Sequence, residues 1–361
     1  MPNEIIGRIF KLLPPSQLAV AAGICQRWYL LARDDFMWRR VSFIGKERVT
    51  VRQLSQFCGT QMAQAVEELK LEGFIIGSNK GRDSALLTRR CLEKMSRSMM
   101  TLRSLSIENA NISNVNLTQF PRRLEHLSLA QCIISDDFAS SNQFNKRVTV
   151  NSFRCIKSFD LSYVHKFDPT LSNAMKGFTW MERLDITHCI RFTKTELILW
   201  AKQMPCLKFL NASELLAVDD DVLRAFTSLK KLVDLRVAYT RITDQGIEDL
   251  CRYGSEMLQF LDVRGCISVT GSVVDTIVKE SKIKELRVMH HMKHFTEARK
   301  SLTNSASGLQ VLDEVDLGLY RFPLFYERIV QAAQRDRANL SDSSDFSACD
   351  GSVFNLFYRL N

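Results

Sequence analysis

The sequence of 361 residues lacks the signatures of several enzyme classes. It contains no Walker A, G-x-G-x-x-G, G-x-S-x-G or H-E-x-x-H string, which mark nucleotide-binding, hydrolase and zinc-protease sites. Its ten cysteines are scattered from Cys25 to Cys349 without a close C-x-x-C pair, which fits neither a disulfide scaffold nor a zinc site. These absences predict a non-enzymatic protein without a cofactor or metal, in a reducing compartment.

Long apolar runs and a targeting segment are also missing. No run approaches the length of a membrane span, and the first residues have no basic segment followed by a plain apolar one. The composition, 45% hydrophobic and 25% charged, is ordinary for a globular protein. We therefore expect a cytoplasmic or nuclear protein without a membrane partner.

The formal charge of +9 raises the question of a nucleic-acid partner, because basic surfaces neutralise phosphates. The basic residues are spread along the chain, however. The densest groups, at 80–97 and 146–147, contain no aromatic residues for base stacking. Solvated helical faces are the preferred interpretation, and a nucleic-acid partner is disfavoured.

A repeated apolar motif occupies most of the chain. The string Leu124-x-x-Leu127-x-Leu129-x-x-Cys132 recurs at 181–189 and 258–266. Copies begin at 156, 181, 207, 232, 258 and 283, a spacing of 25 or 26 residues, and looser copies begin at 66, 102 and 312. A fixed period of this length predicts a solenoid of stacked units.

The motif predicts a short strand followed by a helix in each unit. Apolar residues two apart point to one side of a strand, and one unit cannot bury that side alone. Helices are expected at 196–204, 243–253 and 272–280, with N-caps at Thr243-Asp244 and at 270–272. The cysteine in each motif is interpreted as a small buried group rather than a redox or metal ligand. The pattern resembles cysteine-containing leucine-rich repeats, and its fold class is α/β, with parallel strands on a concave face and helices on the convex face.

The N-terminal segment has more apolar surface than a small helical bundle can hide. A helix over 2–13 ends before Pro14, a second begins at Pro15, and a third carries Trp28 and Leu31. The first helix has two adjacent apolar stripes, one of Ile5, Ile9 and Leu12 and one of Ile6, Phe10 and Leu13. Since about forty residues rarely fold alone, the excess predicts a protein interface.

The segment from Met1-Pro2-x-Glu4-Ile5 through Cys25-x-x-Trp28 to Trp38 resembles an F-box motif, and the whole chain resembles the F-box and leucine-rich repeat proteins. That family implies a substrate receptor of an SCF (Skp–cullin–F-box) ubiquitin ligase, with a Skp-type linker subunit, a cullin-RING core and a protein substrate as partners. The resemblance assigns linker contacts, or the support of such contacts, to Pro2, Ile5, Ile9, Phe10, Leu13, Pro14, Leu18, Cys25, Trp28, Leu31 and Trp38.

Within this set, interface roles are favoured for Ile5, Ile9, Phe10 and Leu13. Core packing is favoured for Ile6, Leu12 and Leu30. Trp38 is expected to tie the last helix to the repeats or to the linker. The predicted divisions are the F-box at 1–43, a linker and cap at 44–65, about nine to ten repeats at 66–322, and a C-terminal helix and tail at 323–361.

Strand residues that point away from the core are candidates for substrate binding. Two interpretations remain open for their arginines: mutual neutralisation with acidic neighbours, or a site for a phosphorylated or acidic peptide. Two phenylalanines, two strands apart, are expected on the same wet face. The candidate residues are Arg183, Phe209, Arg236, Phe260, Asp262, Arg264 and Arg287.

The sequence also supports expectations for the C-terminal tail, the histidine cluster and an alternative function. The apolar end of the tail, with Phe354, Phe357 and Tyr358, is expected to fold back over the concave face. The cluster at 290–294 contains His290 and His294 at helical spacing, yet a loop without a metal is preferred there. The alternative to a ligase adaptor is a repeat-based scaffold or nucleic-acid-associated protein.

Overall fold

The structure is a computed structural model that describes residues 1–73, 87–135, 138–139, 155–164, 175, 177–289 and 309–314. The chain divides into two compact units, Met1–Asp313 and Glu314–Asn361. Apart from Glu314 at the end of the last strand, the features below belong to the first unit. The histidine cluster at 290–294 and the expected tail contacts lie outside the described residues.

Four short helices open the chain, three of them as predicted. The helix α1 ends earlier than expected, because Pro14 disfavours helical geometry at the residue before it. The chain instead closes a tighter turn, in which Leu13 N donates to Phe10 O at 3.0 Å. The helices are α1 Asn3–Phe10, α2 Pro15–Ala22, α3 Gln26–Ala32 and α4 Asp35–Trp38.

The strands form one parallel sheet whose spatial order follows the sequence from β1 to β11. Sequential parallel order is the topology of a solenoid, because each strand pairs with the strands of the preceding and following units. The strands are β1 Arg40–Phe43, β2 Glu68–Glu72, β3 Ser104–Glu108, β4 His126–Ser128, β5 Ser158–Asp160, β6 Arg183–Asp185, β7 Phe209–Asn211, β8 Asp234–Arg236, β9 Phe260–Asp262, β10 Glu285–Met289 and β11 Gln310–Glu314.

Helices follow most strands on the other side of the repeat. They are α5 Val51–Phe57, α6 Arg89–Ser98, α7 Lys194–Gln203, α8 Asp220–Phe226, α9 Asp244–Tyr253 and α10 Val273–Glu280. Short 3-10 turns occupy Gly45–Glu47, Gln61–Ala65 and Leu117–Gln119. Thr243 caps α9 as predicted, since its side chain accepts from Gln245 N. The expected cap chemistry at 270–272 is also present: Ser272 makes no cap bond itself, but Thr270 Oγ1 accepts from Ser272 N at 3.3 Å, and the Ser272 hydroxyl donates to Asp244.

The repeat motif forms the core. Its apolar residues are buried from Leu102 through Val288, and one continuous cluster joins them to Phe10 and Trp38 in the N-terminal helices. The motif cysteines are buried as well. Cys189 Sγ donates to Leu161 O at 3.0 Å, a carbonyl of the preceding unit. Cys132 and Cys266 likewise donate to carbonyls of the preceding unit, so each thiol links neighbouring units by a hydrogen bond. Burial raises the pKa of both thiols.

One strand was not predicted. Residues 40–43 form β1, which pairs in register with β2, Val41 facing Leu69. Trp38 packs on Phe57 of α5 with ring centroids 5.8 Å apart, and its indole donates to Ala32 O at 2.7 Å. The N-terminal helices therefore run directly into the sheet, without an intervening flexible link.

Candidate functional site

The first candidate surface is the outer stripe of α1. The helix buries Ile6 and Phe10 at 4% and 2% exposure, which turns the opposite stripe outward. Ile5, Ile9 and Leu12 are 45%, 44% and 85% exposed. Three aliphatic side chains one turn apart therefore form a continuous apolar stripe, hereafter the α1 stripe.

Contacts with α3 hold this stripe in place. The Phe10 and Trp28 rings meet edge to face, with centroids 5.3 Å apart. Arg27 of α3 donates from Nε to Asn3 Oδ1 at 2.7 Å and from Nη2 to Met1 O at 2.5 Å. The start of α1 is thus fixed by hydrogen bonds and its end by ring packing.

Three assignments made from the sequence are corrected. Phe10, expected at the interface, lies in the core. Leu12 and Leu30, expected in the core, are 85% and 64% exposed. In α1, Phe10 packs on Trp28 of α3, and Leu12 lies in the turn that follows the helix, with its side chain in solvent. The core assignment of Ile6 is confirmed.

The remaining residues assigned to linker binding divide between surface and support. Leu18 and Trp38 are buried, while Leu13, Pro14, Trp28 and Leu31 are half-buried. Pro2 and Cys25 are exposed, and Cys25 Sγ caps α3 by accepting from Trp28 N at 3.5 Å. Contact of any of these residues with a linker subunit stays a prediction.

Further exposed apolar groups lie on the four N-terminal helices or in the segments that flank them. Met1, Val20, Ile24, Tyr29 and Phe36 are 72%, 70%, 63%, 42% and 46% exposed. Isolated apolar side chains at a surface are ordinary, but this density within the first 36 residues is typical of an interface.

The second candidate surface is an alternating row across β6 to β10 on the concave face. The register places Arg183 beside Phe209, Phe209 beside Asp234, and Asp234 beside Phe260. The guanidinium carbon of Arg183 lies 4.1 Å from the Phe209 ring centroid. Arg236 lies 5.0 Å from the ring centroids of both Phe209 and Phe260, and Arg287 lies 4.8 Å from that of Phe260. We call the three arginines and two phenylalanines the Arg–Phe ladder: Arg183, Phe209, Arg236, Phe260 and Arg287.

The ladder changes the interpretation of its phenylalanines. Phe209 was expected to be exposed, yet it is 8% exposed because arginines cover it from two neighbouring strands. Phe260 is half-buried. Stacked guanidinium groups gain from the negative face of each ring, so the arginines, rather than the rings, are presented to solvent.

Carboxylates pair with most arginines of this face. Arg236 Nη2 lies 3.0 Å from Asp234, and Arg287 Nε lies 3.1 Å from Glu285, each on its own strand. Arg264 Nη2 lies 2.7 Å from Asp262, which is 1% exposed. The expected neutralisation is therefore present, but along each strand rather than across strands. Asp262 is thus buried with Arg264 as its ion-pair partner, and its assignment to substrate binding stays a prediction.

Two carboxylates lie in register on the neighbouring strands. Asp160 faces Asp185, and Asp185 accepts from Thr187 Oγ1 at 2.6 Å and from Asn211 Nδ2 at 3.0 Å. Burial, reinforced by the charge of Asp160, raises the pKa of Asp185. Ser128 Oγ donates to Asp160 at 2.8 Å. These side chains form a hydrogen-bonded polar cluster on the concave face, beside the Arg–Phe ladder.

One surface feature was missed. The residue that precedes each motif cysteine, or its equivalent, has positive φ, as at His188 (φ 57°) and Gly265 (φ 68°). Tyr163 stacks on His188 with centroids 5.1 Å apart, and Glu214 accepts from the Tyr163 hydroxyl at 3.0 Å. The glycine in one motif copy was the available signal, because left-handed geometry favours glycine.

Within the described ranges, no group of three or more His, Cys, Asp and Glu side chains could hold a metal ion. Across the same ranges, no helix has the length and apolar character needed to cross a bilayer.

These features define a leucine-rich repeat solenoid with a helical module at its N-terminus that exposes an apolar stripe. A family model described as F-box-like matches residues 1–44. The chain thus has an F-box-like domain followed by leucine-rich repeats, and its curated relatives are F-box and leucine-rich repeat proteins.

The chain is similar to F-box/LRR-repeat protein 12 of several mammals. The human protein is 22% identical over 213 residues, which cover 52% of this chain and 63% of the human one. The bovine protein is 22% identical over 319 residues, covering 87% of this chain and 74% of the bovine one. The chain therefore matches less than two thirds of the human relative's length.

Solved structures that this chain matches include an internalin C2 from Listeria monocytogenes. It has a TM-score of 0.43 and 15% identity, and the match covers 66% of this chain and 91% of the internalin. A chain of the yeast Rad7 and Elc1 complex has a TM-score of 0.40 and 11% identity, and covers 86% and 93%.

Proposed function

We propose that this protein is a substrate-recognition adaptor of an SCF-type ubiquitin ligase, whose F-box-like domain docks to a Skp-type linker and whose repeats bind a protein substrate for ubiquitination and degradation. The observation that carries the proposal is the exposed α1 stripe within an F-box-like domain. F-box and leucine-rich repeat proteins are in general adaptors of this kind and typically non-catalytic.

The packing of the first unit suits this role. A receptor must hold its substrate at a fixed position relative to the ligase core, so that the ubiquitin-bearing partner can reach it. Here α4 and β1 connect the docking helices to the sheet through the buried Trp38 and Phe43, both of which pack on Phe57. We infer that linker and substrate are held at one rigid distance.

The cysteines support a reducing compartment, and thus the cytoplasm or nucleus, as the place of action. All nine cysteines within the described residues are free thiols. Exposed and unbridged thiols such as Cys25 and Cys155 are typical of proteins that stay in reducing surroundings.

The test is co-purification of the full chain with a Skp-type linker and a cullin. The variant Ile5→Asp/Ile9→Asp places two charges on the α1 stripe, and we expect it to lose the linker and the cullin together. Its matched control is Ile190→Asp/Ile267→Asp, because those isoleucines are 59% and 81% exposed on the repeats. Retention of the linker by the first variant would count against the proposal, and salt-sensitive RNA binding without a linker would favour the scaffold alternative.

A further inference from the structure

In the Arg–Phe ladder, Arg183 differs from the other two arginines in having no ion pair with a carboxylate among the described residues. Arg236 and Arg287 each have a carboxylate partner two residues earlier on the same strand. The acid two residues from Arg183 is Asp185, and that carboxylate is engaged by Thr187 and Asn211. Within the part of the chain that the structure describes, no carboxylate forms an ion pair with Arg183. Its charge is therefore available to a ligand.

The geometry of Arg183 suits an anion. Its side chain is exposed, and its guanidinium carbon lies over the Phe209 ring, 4.1 Å from the ring centroid. Stacking uses the face of that group and leaves its N–H edge for hydrogen bonds. A guanidinium held in this way loses little conformational entropy when it binds the paired oxygens of a carboxylate or phosphate.

On the side of β5 and β4, neighbouring residues extend the site without adding negative charge, whereas on the other side Asp234 follows Phe209 in the row and pairs with Arg236. Ser158 faces Arg183 in register on β5, and His126 faces Ser158 on β4. On the other side, Arg236 approaches the same Phe209 ring at 5.0 Å. Two arginines thus share one buried ring, with a hydroxyl group and an imidazole further along the row.

We propose that Arg183 and Arg236, held on the Phe209 ring, bind an anionic group of the substrate, either a phosphoryl group or an acidic side chain. The inference rests on the proposed role as a substrate receptor and specifies the chemistry of its substrate. A basic segment is the opposite possibility, since Asp160 and Asp185 lie nearby in the sheet. Their carboxylates already accept hydrogen bonds from Ser128, Thr187 and Asn211, so they are less available than Arg183.

The experiment uses the full chain and four bead-bound degenerate peptide libraries, in which the central residue is phosphoserine, glutamate, serine or lysine. We expect the phosphoserine library, the glutamate library or both to retain at least about ten times more protein than the serine library, as one charge-assisted bidentate contact would provide. Retention by phosphoserine alone assigns a phosphoryl group, and equal retention by glutamate assigns an acidic side chain.

Variants locate the binding. Arg183→Gln is expected to remove the preference for the anionic libraries. Arg103→Gln is its matched control, because Arg103 is an exposed arginine paired with Glu125 at 2.6 Å outside the ladder, and it is expected to leave the preference unchanged. Asp234→Asn is expected to strengthen anion retention severalfold, since it releases Arg236 from its carboxylate partner.

Three results would overturn the inference: equal retention by the serine library, an unchanged preference in Arg183→Gln, or preferred retention by the lysine library. Linker binding is measured on the same preparations. Anion preference without linker binding would remove the proposed ligase function and keep the anion site, whereas linker binding without anion preference would remove this inference alone. Thermal unfolding of each variant shows that the fold is intact.

Discussion

Truncation of the α1 stripe offers the sharpest separation between interface and core. In the variant Ile5→Ala/Ile9→Ala/Leu12→Ala, the exposed fractions of 45%, 44% and 85% amount to somewhat under two full side chains of apolar surface. Complete burial of one such side chain is worth about 1.5–3 kcal/mol. If a partner covers the stripe, the variant should lose roughly 3 kcal/mol of binding free energy, about a hundredfold in Kd.

The same variant should fold normally. Exposed substitutions away from special features usually change the free energy of unfolding by less than about 0.5 kcal/mol each. Phe10→Ala is the contrasting variant, because Phe10 is 2% exposed and packs on Trp28, and loss of a buried phenylalanine costs about 3–5 kcal/mol. It should weaken linker binding only by destabilising the domain.

The assay is titration of purified Skp-type linker into each variant, beside chemical unfolding of the free chain. The expected pattern is a large change in Kd with normal stability for the stripe variant, and a large change in stability for Phe10→Ala. The reasoning would be refuted if the stripe variant bound the linker within twofold of wild type, or if Phe10→Ala lost affinity while unfolding at the same denaturant concentration.

Three other properties can be checked on the free chain. Gly265→Ala should lower the free energy of unfolding by about 1–3 kcal/mol, because φ is +68° and a Cβ atom would lie 2.3 Å from Tyr239 Cδ1. Gly45→Ala is the control, with φ of +59° and nothing within 4 Å of the added Cβ atom, and it should lower the free energy of unfolding by less in the same denaturant titration. Iodoacetamide at pH 8 should label the exposed Cys25 and Cys155 long before Cys132, whose pKa burial raises to about 12, and mass spectrometry gives the order. Asp185→Asn should gain stability relative to wild type as pH rises. Burial raises the pKa of Asp185 in the folded state above its value in the unfolded chain, so wild type loses stability as pH rises through these two pKa values, and asparagine does not titrate.

Each of these has a clear contrary result. Equal losses for Gly265→Ala and Gly45→Ala would mean that the tyrosine contact is unimportant. Early labelling of Cys132 in the folded chain would contradict its burial. A stability difference between Asp185→Asn and wild type that stays constant from acid to neutral pH would remove the proposed titration of that carboxylate.

The repeat architecture could be read from the chain because its physical cause is local. A strand needs apolar residues two apart, and the 25–26-residue spacing repeats that requirement, so the buried residues from Leu102 to Val288 follow directly. The strand β1 was not predicted, because Arg40–Phe43 does not match the repeat motif. It becomes a strand by pairing with β2, a contact that local sequence does not specify.

The candidate sites were less predictable for the same reason. Two apolar stripes adjoin on α1, and local periodicity cannot tell which one faces α3. On the concave face, the sequence indicated which arginines point outward but not their partners. Pairing of Arg236 with Asp234 depends on side-chain reach, and cover of Phe209 depends on the register of three strands.

By itself, the sequence determined the class of fold and the presence of an unusually apolar N-terminal module, because both depend on spacing and composition within short stretches. Only the tertiary structure decided which face of that module is exposed and which arginine of the Arg–Phe ladder has no carboxylate partner among the described residues. Both follow from the packing of elements distant in sequence: α3 selects the buried stripe of α1, and Thr187 and Asn211 hold the carboxylate next to Arg183.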